Sequence, residues 1–317
     1  MKFDALFEAG FKELGARFFL VAFLPLLSVV LLICALSASG APTMAPSWSN
    51  FLKSVNEFDL NKAIGLLLVV LALSLVTMPL QDALVRVLEG YWGDHLLSSW
   101  FGEWRLEIQE AKRRKLVKSI QDIPSTITPS EQGRIDAASR RLAKYFPSED
   151  RLLPTSLGNA LRAAEDLATR RYELDAVAIW PRLYPHIGDG LGRLVDSSRN
   201  QLDVAVRLVP TLFVNCLVSL GCLWRFDWWI LVPLAFLAMT LLAYRAAIES
   251  AAAFGVAMNS AIDCHRFDML KALHLPMPAD ETEEKRSNAA ISNFLRQGLP
   301  HGLSYVHPES DSKRGSE

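Results

Sequence analysis

The sequence predicts an all-α integral membrane protein with four transmembrane helices and a helical cytoplasmic domain, and three observations lead there. Residues 208–224 and 228–244 are two apolar runs without Asp, Glu, Lys or Arg, separated only by Arg225-Phe226-Asp227. At about 1.5 Å per residue each run, as a helix, reaches roughly the thickness of a thin bilayer, so the pair reads as a membrane hairpin. Its tip carries Trp224, Phe226, Trp228 and Trp229, aromatic residues suited to the headgroup level. Lys and Arg are distributed unequally about the apolar runs. Outside those runs the apolar residues recur at helical spacing, and the only short β-like stretch is Ala176-Val177-Ala178-Ile179.

Composition agrees with this class. A chain of 317 residues that is 51% hydrophobic, with mean hydropathy +0.20 and net charge -1, clusters its charges where a soluble protein interleaves them. The balanced charge argues against nucleic acid as a partner, because phosphate-binding domains carry a basic excess. Cys34, Cys216 and Cys222 fall inside apolar runs and Cys264 lies far from them, so neither a disulfide framework nor a zinc site is expected.

In chain order, residues 1–17 place Phe3, Leu6, Phe7, Phe11 and Leu14 at helical spacing. Two readings stand for this N-terminal amphipathic segment: a helix on the membrane surface, or one packed against the cytoplasmic part. The region 18–81 holds transmembrane helices 1 and 2, at 18–36 and 63–81, joined by an extracytoplasmic loop at 39–61. A signal peptide is the competing reading of the first, since Ala35, Ser37 and Ser39 supply small residues. Balanced charges before it and Ile33 ahead of Cys34 argue against cleavage and lipidation. Pro79 is placed to kink the end of the second span.

Lys2, Lys12, Arg17, Arg86, Arg105, the run Lys112-Arg113-Arg114-Lys115, Arg193, Arg199, Arg207, Arg245 and Arg266 fall on one side, against Lys53, Lys62 and Arg225 on the other. The asymmetry puts both termini and the middle segment in the cytoplasm. That segment, 82–200, is predicted to be helical. Leu84, Leu88, Trp92, Leu96, Trp100, Trp104 and Ile108 continue the second span's periodicity as one helix, and Glu110 and Arg114 add a pair one turn apart. The basic run reads as a solvated face or as a contact for anionic lipid, the former favoured. Thr128-Pro129-Ser130-Glu131 is a capping box predicting a helix to about Tyr145, and Thr155 or Ser156 starts another carrying Leu157, Leu161, Ala164, Leu167 and Ala168.

Trp180-Pro181-Arg182-Leu183-Tyr184-Pro185-His186 is the most unusual local composition. Two prolines predict a rigid turn with the residues before them extended. It packs Trp180 and Tyr184 on the core, or presents Arg182 and His186 to a ligand or partner. After the hairpin at 201–248, a helical extension at 249–299 is predicted. Its small residues Ala251, Ala252, Ala253, Gly255, Ala257, Ser260 and Ala261 permit close helix contact. Residues 280–297 form an amphipathic helix with Ile291, Phe294 and Leu295 inward, and 300–317 a disordered tail.

Chemistry is sparse. His95, His186, His265, His274, His301 and His307 show no metal-ligand spacing, and no nucleotide-binding, nucleophile-elbow or kinase motif occurs, so neither catalytic residues nor a cofactor is assigned. His265 and Asp268 lie one helical turn apart as an ordinary pair or a ligand site with Arg266. Asn215, Ser219 and Cys222 make a mildly polar face inside the third span, for helix packing or for lining a pore in an oligomer. Arg182 and Asp268 are candidates to pair, clamping the corner to the fourth helix's extension.

The stretches 171–185 and 263–278, with Trp180-Pro181-Arg182-Leu183-Tyr184-Pro185 and His265-Arg266-Phe267-Asp268, resemble segments of an uncharacterised family of bacterial multi-pass membrane proteins. The resemblance covers mainly the C-terminal half and implies no particular activity. The order of spans and domain is similar to flagellar stator subunits and bestrophin-like channels in topology alone. The leading functional expectation is a binding or signalling module at the inner membrane face, with the lipid bilayer, further copies of the chain and a cytoplasmic protein as partners. A homo-oligomeric pore and a membrane-lipid enzyme using Arg182, His186, His265 and Asp268 are the alternatives.

Overall fold

The computed structural model describes residues 18–77, 80–92, 96–122, 128–298 and 302–306. Every regular element among them is helical. The amphipathic segment 1–17, Pro79, His95, Pro124, and the tail from 300 apart from 302–306 lie outside the described residues. By its internal contacts the chain divides into two compact units, Met1–Leu88 with Gln201–Ala247, and Glu89–Asn200 with Ile248–Glu317.

In the first unit a π-helical turn, Phe19–Phe23, runs into α1 (Leu24–Ser39), which ends at Gly40 in the left-handed region. A short helix α2 (Trp48–Asn56) follows, then α3 (Leu60–Thr77) and α4 (Leu80–Glu89), which closes at the boundary between the units. The stretch read as a loop therefore contains a helical turn and more, with Trp48 and Phe51 stacked at 5.3 Å. The long helices α9 (Asp189–Leu223) and α10 (Leu231–Ala272), joined through a 3₁₀ turn at Asp227–Ile230, contribute to both units. The hairpin and both of its helical extensions thus follow the predicted pattern.

Three helical stretches, Leu60–Thr77, Asp189–Leu223 and Asp227–Ala272, are long and apolar enough to cross a membrane. They mark the chain as a membrane protein. Along α3, Leu67, Leu68, Val69, Leu71, Leu73, Leu75 and Val76 are all exposed, and only Val70 and Ser74, one turn apart, are buried. A helix apolar on every side has no reason to be stable in water. The Ser74 hydroxyl donates to the Val70 carbonyl at 2.7 Å, so its burial leaves no donor unpaired. One buried cluster of this unit joins Leu36, Ala41 and Leu223, with Leu32, Val218, Cys222, Phe226 and Val232 against them, and Leu202, Val206, Val209 and Cys216 are buried along α9.

The second unit is an ordinary helical globule. It contains α5 (Leu96–Gln121), α6 (Pro129–Tyr145), α7 (Ser156–Tyr172), α8 (Ala176–Leu183) and α11 (Glu281–Gln297), with the parts of α9 and α10 that lie in 189–200 and 248–272. Leu174, Ile179, Leu183, Met258, Ile262, Met269, Leu270 and Ile291 form its main core. Each large side chain buried here contributes about 1.5–3 kcal/mol. The Thr128 capping box starts α6 as predicted, and Thr155 caps α7 by accepting from the Gly158 N–H at 3.1 Å. The small-residue stretch of α10 also acts as expected. A Cβ on Gly255 would lie 2.5 Å from Ala164 Cβ, and Asn259 Nδ2 crosses the contact to the Ala164 carbonyl at 2.9 Å.

The single helix expected from the second span through Ile108 is instead divided. α4 stops at Glu89, because Gly90 turns the chain at φ +102°. The freed Glu89 carbonyl accepts from Thr155 Oγ1 at 2.7 Å, and a Cβ on Gly158 would fall 2.1 Å from the same oxygen. Apolar periodicity runs through this break because it records which side is buried, not whether the backbone is continuous.

Candidate functional site

The turn from α7 to α8 must place Glu173 at φ +55°, a conformation costly for a residue with a side chain. Its backbone polar groups find partners on α11. Asn288 Nδ2 donates to the Tyr172 carbonyl at 2.9 Å, Ser292 Oγ donates to the Glu173 carbonyl at 3.2 Å and accepts from the Asp175 N–H at 3.0 Å. Asp175 then caps α8, accepting from the N–H groups of Val177 and Ala178 at 3.0 and 3.1 Å, while Arg296 binds its other oxygen at 2.8 Å. Burial works to raise the Asp175 carboxyl, but the Ala178 N–H and the Arg296 guanidinium outweigh it and hold the group below its ordinary value.

This explains a difference from the predicted face of α11. Ile291 is buried and Leu295 packs on the core, but Phe294 is exposed, and Glu284, Asn288 and Ser292 take the inward positions. An exposed turn backbone brought against a helix needs donors and acceptors more than apolar surface.

The Trp180–His186 corner is helical, where extended geometry was predicted before each proline. Pro181 sits within the last turns of α8, and Tyr184, with φ -53° and ψ -40°, leads into a 3₁₀ turn, Tyr184–His186, at whose start Pro185 has no N–H to lose. Ile179 and Leu183 point into the core and Trp180 packs half-buried beside Leu191, Val195, Ala257 and Ala261. Arg182, Tyr184, Pro185 and His186 stay exposed. The Tyr184 hydroxyl donates to Asp196 at 2.7 Å, and Arg182 Nη1 donates to the Ala178 carbonyl of its own helix at 2.9 Å.

The Arg182–Asp268 clamp is therefore not formed. Asp268 instead meets His265 Nδ1 at 3.1 Å and Lys271 at 3.8 Å. What joins α8 to α10 is apolar, through Ile179 and Leu183 with Ile262, Met269 and Leu270. Ionic joining occurs one turn earlier, between residues 171–172 and 263–266. Asp263 accepts from the Tyr172 hydroxyl at 2.8 Å and from Arg171 at 3.0 Å. Arg266 lies between the Tyr172 and Phe267 rings, 4.3 and 4.2 Å from their centroids, donates to the Asp263 carbonyl, and meets Glu284 at 2.7 Å. Burial, then the hydrogen bond to Asp263, pushes the Tyr172 phenol above its ordinary value, so it stays a donor. Every charged group of this network is engaged within the chain, which suits a staple between α7, α10 and α11 rather than a reacting centre.

In the first unit Asn215 and Ser219 are buried and Cys222 is half-buried against the Leu36 and Leu223 cluster. Ser219 Oγ donates to the Asn215 and Cys216 carbonyls at 2.7 and 3.0 Å, and Asn215 Nδ2 donates to Ser28 Oγ at 3.4 Å. Among the described residues, no group of three His, Cys, Asp or Glu side chains converges as a metal site would require.

Comparison with protein-family models, with curated proteins and with solved structures finds no match. The functional reading therefore rests on the residues themselves. Of those singled out in the sequence, Trp180 and Tyr184 meet at 5.8 Å between ring centroids, and His265 meets Asp268. Arg266 proves to be the centre of the staple. Tyr172, Asp263 and Glu284, which Arg266 contacts, and Arg171, which pairs with Asp263, were missed as site residues. Their sequence separations carry no helical signal, although Arg171, Tyr172 and Asp263 lie in the two stretches that bear the resemblance.

Proposed function

We propose that this chain is an integral membrane protein with four spans and both termini in the cytoplasm, whose helical domain is a binding or signalling module docking a cytoplasmic protein at the α8 corner. The observation that carries the docking reading is a surface of exposed Arg182, Tyr184, Pro185 and His186 on a helix fixed from beneath. The Asp175 cap and the Leu183 core hold its backbone, so a partner meets a surface already ordered, which lowers the entropy lost on binding. For the fourth span, the π turn Phe19–Phe23 precedes the 16 residues of α1 without a break, and together they lengthen an apolar helix too short by its α-helical part alone. Burial of Asn215 and Ser219 within one copy supports helix packing over pore lining.

Single-cysteine labelling tests the topology: replacements of Ser49 and Asp227 are expected to react from outside, those of Gly133 and Ser310 only after permeabilisation. Capture of cytoplasmic protein by the detergent-solubilised chain tests the docking reading. Arg182→Ala with His186→Ala is expected to abolish capture of a specific partner without lowering thermal stability; unchanged capture removes the corner as the docking surface.

A further inference from the structure

The hairpin of α5 and α6 encloses a groove of about 520 Å³, none of whose residues belongs to the α8 corner. Leu116, Ile135, Ala137 and Ala138 provide apolar lining, and Lys115 and Lys118 from α5 and Arg134 and Arg141 from α6 supply cations. The volume is that of a small-molecule site. The charge is unusual for a helical hairpin, whose facing surfaces commonly pair opposite signs. Among the described residues none of these four cations makes a salt bridge, in contrast to Arg113 with Glu149 and Arg114 with Glu110 on the same α5.

Two acids also line the groove, Asp122 and Glu131. Glu131 is committed to the helix start, where its Oε2 accepts from the Thr128 N–H at 2.8 Å and from the Thr128 hydroxyl at 2.7 Å. Those two bonds, with the nearby charge of Arg134, hold its carboxyl below its ordinary value, so Glu131 and Asp122 offset part of the groove's charge and leave four cations against two acids. Arg134, Ala138 and Arg141 follow one another at helical spacing, so both guanidinium groups rise from one face of α6 beside the small Ala138. Concave walls concentrate the field of such charges. Guanidinium groups match phosphate oxygens in pairs, and lysines add charge without demanding direction.

We infer that this groove binds a phosphate-bearing anion, with Arg134, Arg141, Lys115 and Lys118 around the phosphate and the Leu116–Ile135 floor under a less polar part of the ligand. The phosphate has two chemical sources, a soluble phosphate compound or the headgroup of an anionic lipid.

The full chain in neutral detergent is titrated calorimetrically with inorganic pyrophosphate, and the same preparation is assayed for retention of phosphatidic acid against phosphatidylcholine by native mass spectrometry. Binding of either probe is expected, weakened about tenfold or more by Arg134→Gln with Arg141→Gln and unchanged by Lys112→Gln with Arg114→Gln, which alter the same helix outside the groove. Pyrophosphate binding assigns a soluble ligand, and selective retention of phosphatidic acid without it assigns a headgroup. Because all four positions are exposed, thermal unfolding of the variants is expected to match the parent; Lys115→Gln with Lys118→Gln gives a second variant pair should the arginine pair fail to fold. Absence of binding by both probes, or binding indifferent to both groove variants, overturns the inference.

Discussion

Leu68 in the first unit and Val177 in the second are 60% and 63% exposed, yet they stand in opposite settings. Leu68 is one of a continuous apolar surface on α3, while Val177 is a lone apolar residue on a helix whose other side carries the core. Along α3 the large side chains turn outward while Val70 and Ser74 are buried; along α8 Ile179 and Leu183 are buried and the charge of Arg182 stays outside. Exposure of an apolar residue thus has no fixed meaning. Its neighbours decide whether it faces water or hydrocarbon.

The sharpest test of the second unit's design is Arg266→Ala. It leaves Glu284, with its side chain 11% exposed, without its cation and removes both ring contacts, so a loss of about 3–5 kcal/mol is expected. Denaturation of the detergent-solubilised protein measures it, and membrane integration is expected to be unaffected. Stability equal to the parent would show that the staple is dispensable.

One charge placed on α3 and on α8 separates their two settings. Leu68→Arg is expected to impair membrane integration by about 2.5–3.5 kcal/mol, and Val177→Arg to change stability by no more than about 0.5 kcal/mol. Equal tolerance at both positions, in an integration assay and an unfolding assay, would mean that α3 does not meet lipid.

Close packing gives a smaller contrast. Gly158→Ala drives a methyl group toward the Glu89 carbonyl and Leu153, and is expected to lower stability by about 1–3 kcal/mol. Gly133→Ala, in a helix with open space around it, is expected to raise it by about 0.5–1 kcal/mol. Thermal unfolding of the two variants should move in opposite directions.

Asp175→Ala is expected to cost about 1 kcal/mol at neutral pH as a lost helix cap. Because folding lowers this carboxyl's pKa, its stabilisation is present above the ordinary aspartate value of 3.8 and disappears as pH falls below it through the folded value. The gap in unfolding temperature between parent and variant should therefore close on acidification. A gap independent of pH would assign the loss to packing.

Local chemistry was legible where it acts over a few residues. Thr128 with Glu131 and Thr155 announced two helix starts, and the uncharged runs on either side of Arg225-Phe226-Asp227 announced the hairpin. The corner's prolines predict extended residues before them, but the corner is helical, because a preference at the residue before proline is weaker than the capping and core contacts that hold α8. Nearness to the hairpin points to Arg182 and Asp268 as the ionic joint. It formed at Arg171, Tyr172, Asp263, Arg266 and Glu284 instead.

By itself, then, the sequence determined that the described chain is helical, where the two helices begun at Thr128 and Thr155 start, and that the hairpin helices are long and apolar enough to cross a membrane. These follow from hydrogen bonds and side-chain periodicities contained within single segments. Only the tertiary structure decided that α4 ends at Gly90, that polar residues of α11 face inward, and that Arg266 rather than Arg182 holds the helices together. Each of those depends on a partner far away in the chain: Glu89 on Thr155, Asn288 on Tyr172, Glu284 on Arg266. A burial pattern says that a residue has a neighbour, and folding alone says which one.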